Sequence, residues 1–421
     1  MPDLQRPVHQ RRLLDGPPAL SGAETLTSHV ARLGQLPPRA ASREVIATLE
    51  ASGLLGRGGA SFPVGRKWRT VAERSGGRAT VLVNGAEGEP LSAKDRVLMA
   101  LRPHLVLDGA LLAAGAVGAE EIVVYVGAAH TAARRSLERA IAERSATAPS
   151  PPAIPTRLVV APDRYVAGEE SAAVHFVTEA DARPTVTPPR PFERGIGGRP
   201  TLVQNVESLG HAALIARFGA DWFRAAGRAE TRGTALVTLT GVDRPGVHEI
   251  ELGTTVAALA DLGGKARADT QGVLLGGYFG GWAAIDEAWD LALDPIALKA
   301  SRRAFGCGVV SFLAADACGV KTTARIMDYM AGQSAAQCGP CVFGLRAIAD
   351  VTRRIGDGAA DTDDLARIER WAGQLAGRGA CRHPDGAVGL LASALSVFGE
   401  EFVRHASLGR CSRPEFGEKA A

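Results

Sequence analysis

The sequence predicts an α/β protein with a mainly parallel sheet, followed by a small β-rich module and a C-terminal helical bundle. Three observations predict this fold. β-Branched runs alternate with helical stretches in the first half, glycine-flanked strands cluster near residue 240, and helical periodicity dominates after residue 322. Alternating strands and helices are typical of parallel sheets. The length of 421 residues allows two to four domains.

The first half supplies the alternating elements. Ser42 is a suitable helix cap, and the apolar residues after it recur at helical spacing. The run ATVLV is rich in β-branched residues and suits a buried strand. In order, we expect a helix at 42–52, a strand at 79–83, a helix at 98–117, a strand at 121–126 and a helix at 131–144.

The second half predicts two further units. Residues 235–241 alternate as a strand, 244–250 read as a turn and a returning strand, and 272–277 form another strand ending in glycines. We therefore expect a loose N-terminal arm at 1–40, an α/β domain at 41–230, a small β-grasp-like domain at 231–305 and a helical domain at 306–410.

Composition excludes several classes of function. The formal net charge of +3 gives no electrostatic reason to expect nucleic acid or an anionic membrane as a partner. The N-terminus has basic residues without an apolar run behind them, and no segment reaches about 18 uninterrupted apolar residues. Six cysteines in so long a chain do not suggest a disulfide framework. The expected location is the cytoplasm, without a membrane span.

The clearest candidate ligand site is the run Gly56–Pro63 (GRGGASFP). Glycines let the backbone approach a ligand closely, and the amides of such a loop can cradle a phosphate, with Arg57 and Lys67 supplying charge. The run follows a helix rather than a strand, which excludes a Rossmann dinucleotide loop, and it lacks the Gly-Lys-Ser/Thr ending of a Walker loop. By itself it is equally typical of a plain turn.

Three more stretches place amides and carboxylates where strands are expected to end. These are NGAEGEP at 84–90, YVAGEES at 165–171 and TLVQNVE at 201–207. The carboxyl ends of parallel strands form the ligand crevice of an open α/β sheet. Such side chains suit hydrogen bonding to a flavin ring edge and to ribityl or ribose hydroxyl groups.

Together these stretches resemble the flavoprotein subunit (the 51-kDa or F-type subunit) of respiratory Complex I and its relatives in hydrogenases and formate dehydrogenases. The resemblance runs in order from about Ala51 to His405, and the Gly241 to Glu249 stretch is similar to the soluble-ligand-binding β-grasp (SLBB) module. It implies an FMN-binding α/β domain, NAD(H) as the nucleotide and an iron–sulfur cluster.

The resemblance also implies roles for individual residues. The phosphate side of FMN would be held by Gly56, Arg57, Gly58, Gly59 and Lys67. The flavin would be lined by Asn84, Tyr165, Gly168, Glu169, Val203, Gln204 and Asn205. The nicotinamide nucleotide would contact Glu87 and Glu170 and stack on Phe62.

Three positions depart from the family pattern around the nucleotides. Ala86 stands where the family usually has Asp, Gln204 where it has Asn, and Thr70 where it has a second aromatic residue. Ala86 removes an acceptor beside the ribityl chain, so we expect a lower flavin affinity. Thr70 removes a stacking surface, so the resemblance implies FMN more strongly than it implies NADH as the donor.

The cysteines depart further. The family holds a [4Fe–4S] cluster with a C-x2-C-x2-C run and a distant fourth cysteine. Here Cys338, Cys341 and Cys381 fall at three of these positions, and Ala335 occupies the first. The alternatives are a four-iron cluster with another fourth ligand (His383 or Cys318), a three-iron cluster, a zinc site or no metal. Cys307 and Cys411 are interpreted as ordinary buried or terminal residues.

A thioredoxin-like dithiol is a rival interpretation of Cys338-Gly339-Pro340-Cys341. That motif needs a strand immediately before it, and the preceding residues 324–330 are predicted to be helical.

The resulting hypothesis is a subunit that oxidises NAD(P)H by hydride transfer to FMN and passes electrons through an iron–sulfur cluster to a ferredoxin-like or quinone-reducing partner. The sequence holds no HExxH pattern and no recognisable triad, as expected where a cofactor supplies the chemistry. The alternative is a non-catalytic FMN-binding scaffold of a redox complex with a degenerate cluster site. We expect peripheral membrane association only through partners.

Overall fold

The computed structural model describes residues 12–18, 20, 22–36, 42–147, 154–227 and 230–413. Its first sheet has four parallel strands in the order β3-β2-β1-β4. The strands are β1 (Ala79–Gly85), β2 (Ala119–Gly127), β3 (Thr156–Ala161) and β4 (Thr201–Asn205). The parallel sheet is therefore confirmed.

Helices cover this sheet because its central strands are apolar on both faces. The first five residues of β1 are all buried, as is typical of a strand inside a parallel sheet. The helices of this unit are α1 (Leu26–Leu33), α2 (Ser42–Ser52), α3 (Val64–Ser75), α4 (Lys94–Leu101), α5 (Pro103–Val117), α6 (Thr131–Thr147), α7 (Glu170–Glu179), α8 (Val206–Phe218) and α9 (Ala220–Arg224).

The helix expected at 98–117 is two helices. The chain bends by 97° between α4 and α5. Pro103 is the first residue of α5, where its missing N–H leaves no helical hydrogen bond unmade, whereas inside a continuous helix its ring would clash with the preceding turn. The proline thus ends one helix and begins the next.

Part of the arm expected to be loose is ordered. Thr25 caps α1 by accepting a hydrogen bond from the Ser28 amide. Further upstream, the backbone amides of three residues, Arg12 to Leu14, donate to the buried carboxylate of Glu249 at 2.8, 3.0 and 3.1 Å. The prediction of a loose arm is wrong for these residues, while 1–11, 19, 21 and 37–40 lie outside the described part.

A second unit is built on a mixed five-stranded sheet with the order β6-β5-β9-β7-β8. Its central strand β9 pairs parallel to β5 and antiparallel to β7. The elements are β5 (Thr234–Thr240), β6 (Gly246–Glu251), α10 (Val256–Gly263), β7 (Thr270–Leu275), β8 (Gly281–Ala284), α11 (Ile285–Ala288), α12 (Pro295–Ala300) and β9 (Val309–Ala314). Because β9 follows residue 305, we place the end of this unit after Ala314.

The C-terminal unit is helical, as expected. A π-helical turn at Pro340–Leu345 leads into α14. The helices are α13 (Gly319–Gly332), α14 (Arg346–Gly356), α15 (Asp364–Leu375) and α16 (His383–Leu408). By length and composition α16 could cross a membrane, yet it packs against α13, α15 and β8. It is accordingly a core helix of this bundle.

Candidate functional site

The carboxyl ends of β1 and β4 form the centre of the candidate site. Asn84 and Asn205 are aligned as register partners on these neighbouring strands. The Asn84 amide donates to the Gly168 carbonyl at 2.9 Å, and the Asn205 amide donates to Asp95 at 2.7 Å. The Asn205 oxygen also caps α8 by accepting from the Glu207 amide. The sheet thus brings together the predicted amide-bearing stretches.

The glycine-rich run is a compact loop resting on this edge. Its ends are joined because the Gly56 amide donates to the Phe62 carbonyl at 2.9 Å. A Cβ on Gly58 would lie 3.3 Å from Cβ of Asn205, so the loop presses on the end of β4. Gly59 has a φ of +104° and nothing within 4 Å of its Cβ direction, which leaves open space above the loop. Such a loop can present backbone amides to an anion.

The Arg57 side chain does not point into the open space above the loop. Its guanidinium is buried, donates to the Thr234 carbonyl at 3.0 Å and lies 3.6 Å from the Glu207 carboxylate. The Glu207 carboxylate also contacts Lys94 at 2.9 Å and accepts from the Leu236 amide. The expected phosphate contact through the Arg57 side chain is thus replaced by a buried link between the first unit and β5.

Phe62 ends the loop, Lys67 follows it on α3, and Glu170 pairs with Lys67. Lys67 and Glu170 form a half-buried ion pair of 2.8 Å between α3 and the first residue of α7. The Phe62 side chain is 47% exposed, with the Arg66 guanidinium 5.8 Å from its ring centre. An exposed aromatic ring beside a cation and a carboxylate suits an aromatic ligand that carries phosphate.

Glu87 is fully engaged in capping. Its carboxylate accepts from the amides of Asp95 and Arg96 at 3.0 and 3.1 Å and from the Ser92 hydroxyl at 2.5 Å. An acid at a helix N-terminus satisfies amides that the helix leaves unpaired. The predicted contact of Glu87 with a nicotinamide nucleotide therefore competes with its role as the cap of α4.

Glu89, two residues further on, was missed by the sequence analysis. It is buried and accepts from the Tyr165 hydroxyl at 3.0 Å and from the Tyr278 amide at 2.8 Å. Burial raises the pKa of Glu89 to about 7, the nearby Glu87 adds to this rise, and the three hydrogen bonds to its carboxylate oppose it. A second acid in the same NGAEGEP stretch was the available signal.

The loop after β3 connects this edge to the cysteines. Tyr165 donates its amide to Gln333 at 2.9 Å, and its ring contacts Phe279 and His383. Glu169 caps α7, and burial raises its pKa. Gly88 and Gly168 allow the close packing of the two loops, since a Cβ at either would lie within 2.7 Å of a backbone oxygen.

Val203 and Gln204 are consecutive residues of β4 and lie on opposite faces of the sheet. Both are buried, and the Gln204 oxygen accepts from the Trp68 indole at 3.2 Å. The glutamine that stands in place of the usual asparagine thus bonds to α3.

Three thiols near the π-helical turn, those of Cys338, Cys341 and Cys381, lie close enough to interact electrostatically. The pKa of the Cys341 thiol is raised, first by burial and then by the neighbouring Cys338 and Cys381. The Ser334 hydroxyl also hydrogen-bonds this thiol. The side chain of Ala335 is buried and offers no ligand atom. The three cysteines can supply three of the four thiolate ligands that a four-iron cluster needs.

The two alternative fourth ligands lie differently. His383 is buried, with Nε2 2.7 Å from the Met330 carbonyl. Cys318 lies 3.4 Å from His405, in a separate group. No strand lies immediately before Cys338 in the described chain, because the preceding element is the helix α13, which ends at Gly332. The dithiol interpretation therefore lacks the strand that it requires.

The open edge fits a flavin mononucleotide. The loop with free space over Gly59 and the cationic Lys67 suit a phosphate, while the aligned Asn84 and Asn205 lie where a parallel sheet binds its ligand.

Comparisons with known proteins agree with this geometry. Residues 49–213 match the Nuo51 FMN-binding domain, and residues 321–405 match the NADH-ubiquinone oxidoreductase-F iron–sulfur binding region. The chain is 31% identical over 378 residues to the second F-type subunit of the NADH-quinone oxidoreductase of Rhizobium meliloti, covering 87% of this chain and 90% of that protein. It is 27% identical to the HndC subunit of the NADP-reducing hydrogenase of Solidesulfovibrio fructosivorans, covering 87% and 77%.

A solved structure is also similar. A chain of an NAD⁺-reducing [NiFe]-hydrogenase in the H2-reduced state superposes with a TM-score of 0.81 at 27% identity, over 88% of this chain. Our chain spans 64% of the length of that hydrogenase chain. The match to the Rhizobium meliloti protein, in contrast, runs over most of both chains. This chain therefore belongs to the family of the F-type subunits of NADH-quinone oxidoreductase, an oxidoreductase family that oxidises NAD(P)H with FMN and an iron–sulfur cluster.

Proposed function

We propose that this chain is the nucleotide-oxidising subunit of a larger redox complex and passes electrons to a separate iron–sulfur protein. The observation that carries the proposal is a set of hydrogen bonds that leads from the Asn84 end of the sheet to the segment just before Cys338. Tyr165 begins the turn that ends at Gly168, the residue that accepts from Asn84, and the Tyr165 amide donates to Gln333, five residues before Cys338. The Glu169 carboxylate likewise lies close enough to Cys381 to act on its pKa.

In this proposal the chain binds and orients its ligands. FMN would supply the step between two-electron and one-electron chemistry. The amides of the Gly56–Gly59 loop and the Lys67 ammonium would hold its phosphate, and Asn84 and Asn205 would fix its ring edge. Phe62 would stack on the nucleotide, and Glu170, once Lys67 turns to phosphate, would accept hydrogen bonds from that nucleotide.

The partner is proposed to dock beside the cysteines. Val342 and Phe343, directly after Cys341, are 43% and 75% exposed. Apolar side chains exposed next to a redox site are typical of a protein contact. We propose a ferredoxin-like or other iron–sulfur protein there, and a cytoplasmic location in which any membrane association comes through partners.

Flavin reduction tests the nucleotide site. Protein purified without oxygen should carry flavin absorbance that bleaches when NADH is added. Glu170→Gln should raise the NADH concentration needed for half-maximal bleaching about tenfold, by the loss of about 1.4 kcal/mol from a charged hydrogen bond. Glu179→Gln, at the exposed end of the same helix, is the matched control. Bound flavin that NADH never bleaches would contradict the proposal.

A second candidate is a non-catalytic FMN-binding scaffold, and the alanine at position 335 favours it. Iron and sulfide analysis with low-temperature EPR on anaerobically prepared protein separates the two. A cluster that becomes reduced when NADH is added supports the oxidoreductase. Absence of iron together with unbleached flavin supports the scaffold.

A further inference from the structure

A second group of potential metal ligands lies at the far end of the helical unit. It consists of Cys318, His405 and Cys411, whose ligand atoms all lie within 4.8 Å of one another. None of these residues belongs to the thiol group at Cys338, Cys341 and Cys381. The sequence analysis treated Cys318 as a cluster ligand candidate and Cys411 as an ordinary terminal residue, and only the fold brings the two together.

The backbone explains why they meet. Cys318 is the N-cap of α13, and its sulfur accepts from the Lys321 amide at 3.4 Å. His405 lies in the last turn of α16. Gly409 ends that helix with a φ of +62°, a conformation that glycine adopts without strain. The chain therefore turns back, and Cys411 returns to the side of the helix that carries His405.

The histidine is oriented as a metal ligand would be. It is 1% exposed, and its Nδ1 lies 3.1 Å from the carbonyl of Ile355, at the end of α14. A carbonyl only accepts, so Nδ1 carries a proton, and in the neutral ring Nε2 is the nitrogen with the lone pair that a metal can bind. Nε2 points at the Cys318 sulfur, 3.4 Å away. A backbone carbonyl holding the second ring nitrogen is a common support for ligating histidines.

The distances suit tetrahedral coordination. With Zn–S near 2.3 Å and Zn–N near 2.0 Å, a tetrahedral ion places sulfur and nitrogen about 3.5 Å apart. The observed separation of Cys318 Sγ and His405 Nε2 is 3.4 Å. Glu401, one turn before His405, has an oxygen 3.5 Å from the same Nε2, and its carboxylate accepts from the Ser412 amide at 2.7 Å. Two thiolates and an imidazole are preferred zinc ligands.

We propose that Cys318, His405 and Cys411 bind a structural zinc ion that fastens the segment at Cys411 to the start of α13. The ion would join the start of α13 to the end of α16 and, through His405, to the end of α14. This site is independent of the proposed flavin and cluster chemistry.

The test uses the full chain with Cys338 and Cys341 replaced by serine, so that the other thiol group no longer competes for metal. Anaerobically purified, metal-stripped protein is titrated with Zn²⁺ against a competing chelator, and bound zinc is counted by mass spectrometry. One equivalent is expected. Adding Cys411→Ser should weaken zinc binding more than about 100-fold, beyond the 10–100-fold typical of residues that only support a ligand. Arg410→Ala, an exposed neighbour, should change nothing.

Co²⁺ provides a readout of the ligands themselves. The Co²⁺-loaded protein should show a sulfur-to-cobalt charge-transfer band that loses about half its intensity in Cys318→Ser and in Cys411→Ser. Circular dichroism of each variant shows whether it is folded. Absence of zinc binding, unchanged binding in folded Cys411→Ser protein, or a Cys318–Cys411 disulfide in anaerobically alkylated protein would overturn the proposal.

Discussion

Glu89→Gln is expected to stabilise the protein increasingly as the pH rises. Glu89 is 8% exposed, and burial raises its pKa from 4.5 to about 7. Between these two pH values Glu89 is protonated in the folded protein and ionised in the unfolded chain. The free energy of unfolding therefore falls as the pH rises from about 4.5 to 7. Glutamine has no proton to release, and its oxygen can still accept from the Tyr278 amide.

The size of the effect follows from the two pKa values. At about 1.36 kcal/mol per pH unit, the difference between 4.5 and about 7 corresponds to about 3 kcal/mol of stability lost by the wild type at pH 8. Part of this loss is already present at pH 5. The free energy of unfolding of Glu89→Gln, relative to wild type, should therefore increase by about 2 kcal/mol between pH 5 and pH 8.

Urea unfolding followed by tryptophan fluorescence, at matched flavin content, measures this difference. Glu73→Gln, an exposed position on α3, is the control and should show no such dependence. A Glu89→Gln difference that stays constant from pH 5 to pH 8, or that grows toward acid, would refute the assignment of a buried, protonated carboxyl group.

The other predictions concern the cysteines, the buried ions and acid. Ala335→Cys should raise the iron content toward four per chain by supplying the missing thiolate, whereas Ala336→Cys should not; iron analysis decides. Arg57→Met should lower the free energy of unfolding by about 3 kcal/mol, because it removes a partner of the buried Glu207 carboxylate. Lys67→Met, at a half-buried ion pair, should weaken flavin binding and change the free energy of unfolding little. Asp108 is buried, which opposes ionisation, but a histidine and two arginines lower its pKa. The ionised Asp108 stabilises the folded protein above its unfolded pKa of about 3.8, and this stability is lost as the pH falls from there through its lowered folded pKa. Asp108→Asn should therefore lower the free energy of unfolding at pH 7, and lower it less at pH 3, as measured by urea unfolding at both pH values.

The fold was predictable because its local signals agree. Apolar β-branched runs such as 79–83 can be recognised as strands from their local pattern, without knowledge of the segments that pack against them. Their alternation with helices implies a parallel sheet. The break at Pro103 was readable in principle, since a proline in the interior of an expected helix breaks it. The ordered segment at Arg12 to Leu14 was not, because its partner Glu249 lies over 230 residues away.

The site was predictable as a set of stretches but not as individual contacts. Motif order indicated that the strand ends carrying Asn84 and Asn205 belong to one pocket, and the sheet aligns them. Sequence could not decide which of Glu87 and Glu89 caps a helix, because that depends on where α4 begins.

By itself, the sequence determined the order of elements, the family and the loss of a thiolate at Ala335, since all three depend on residue identity and local spacing. Only the tertiary structure decided the direction of the Arg57 side chain and the meeting of Cys318 with His405 and Cys411. The physical reason is that burial and pairing are set by contacts between distant segments. A buried charged group pairs with an opposite charge that folding brings close to it. That partner is often distant in sequence, so the local sequence pattern does not identify it.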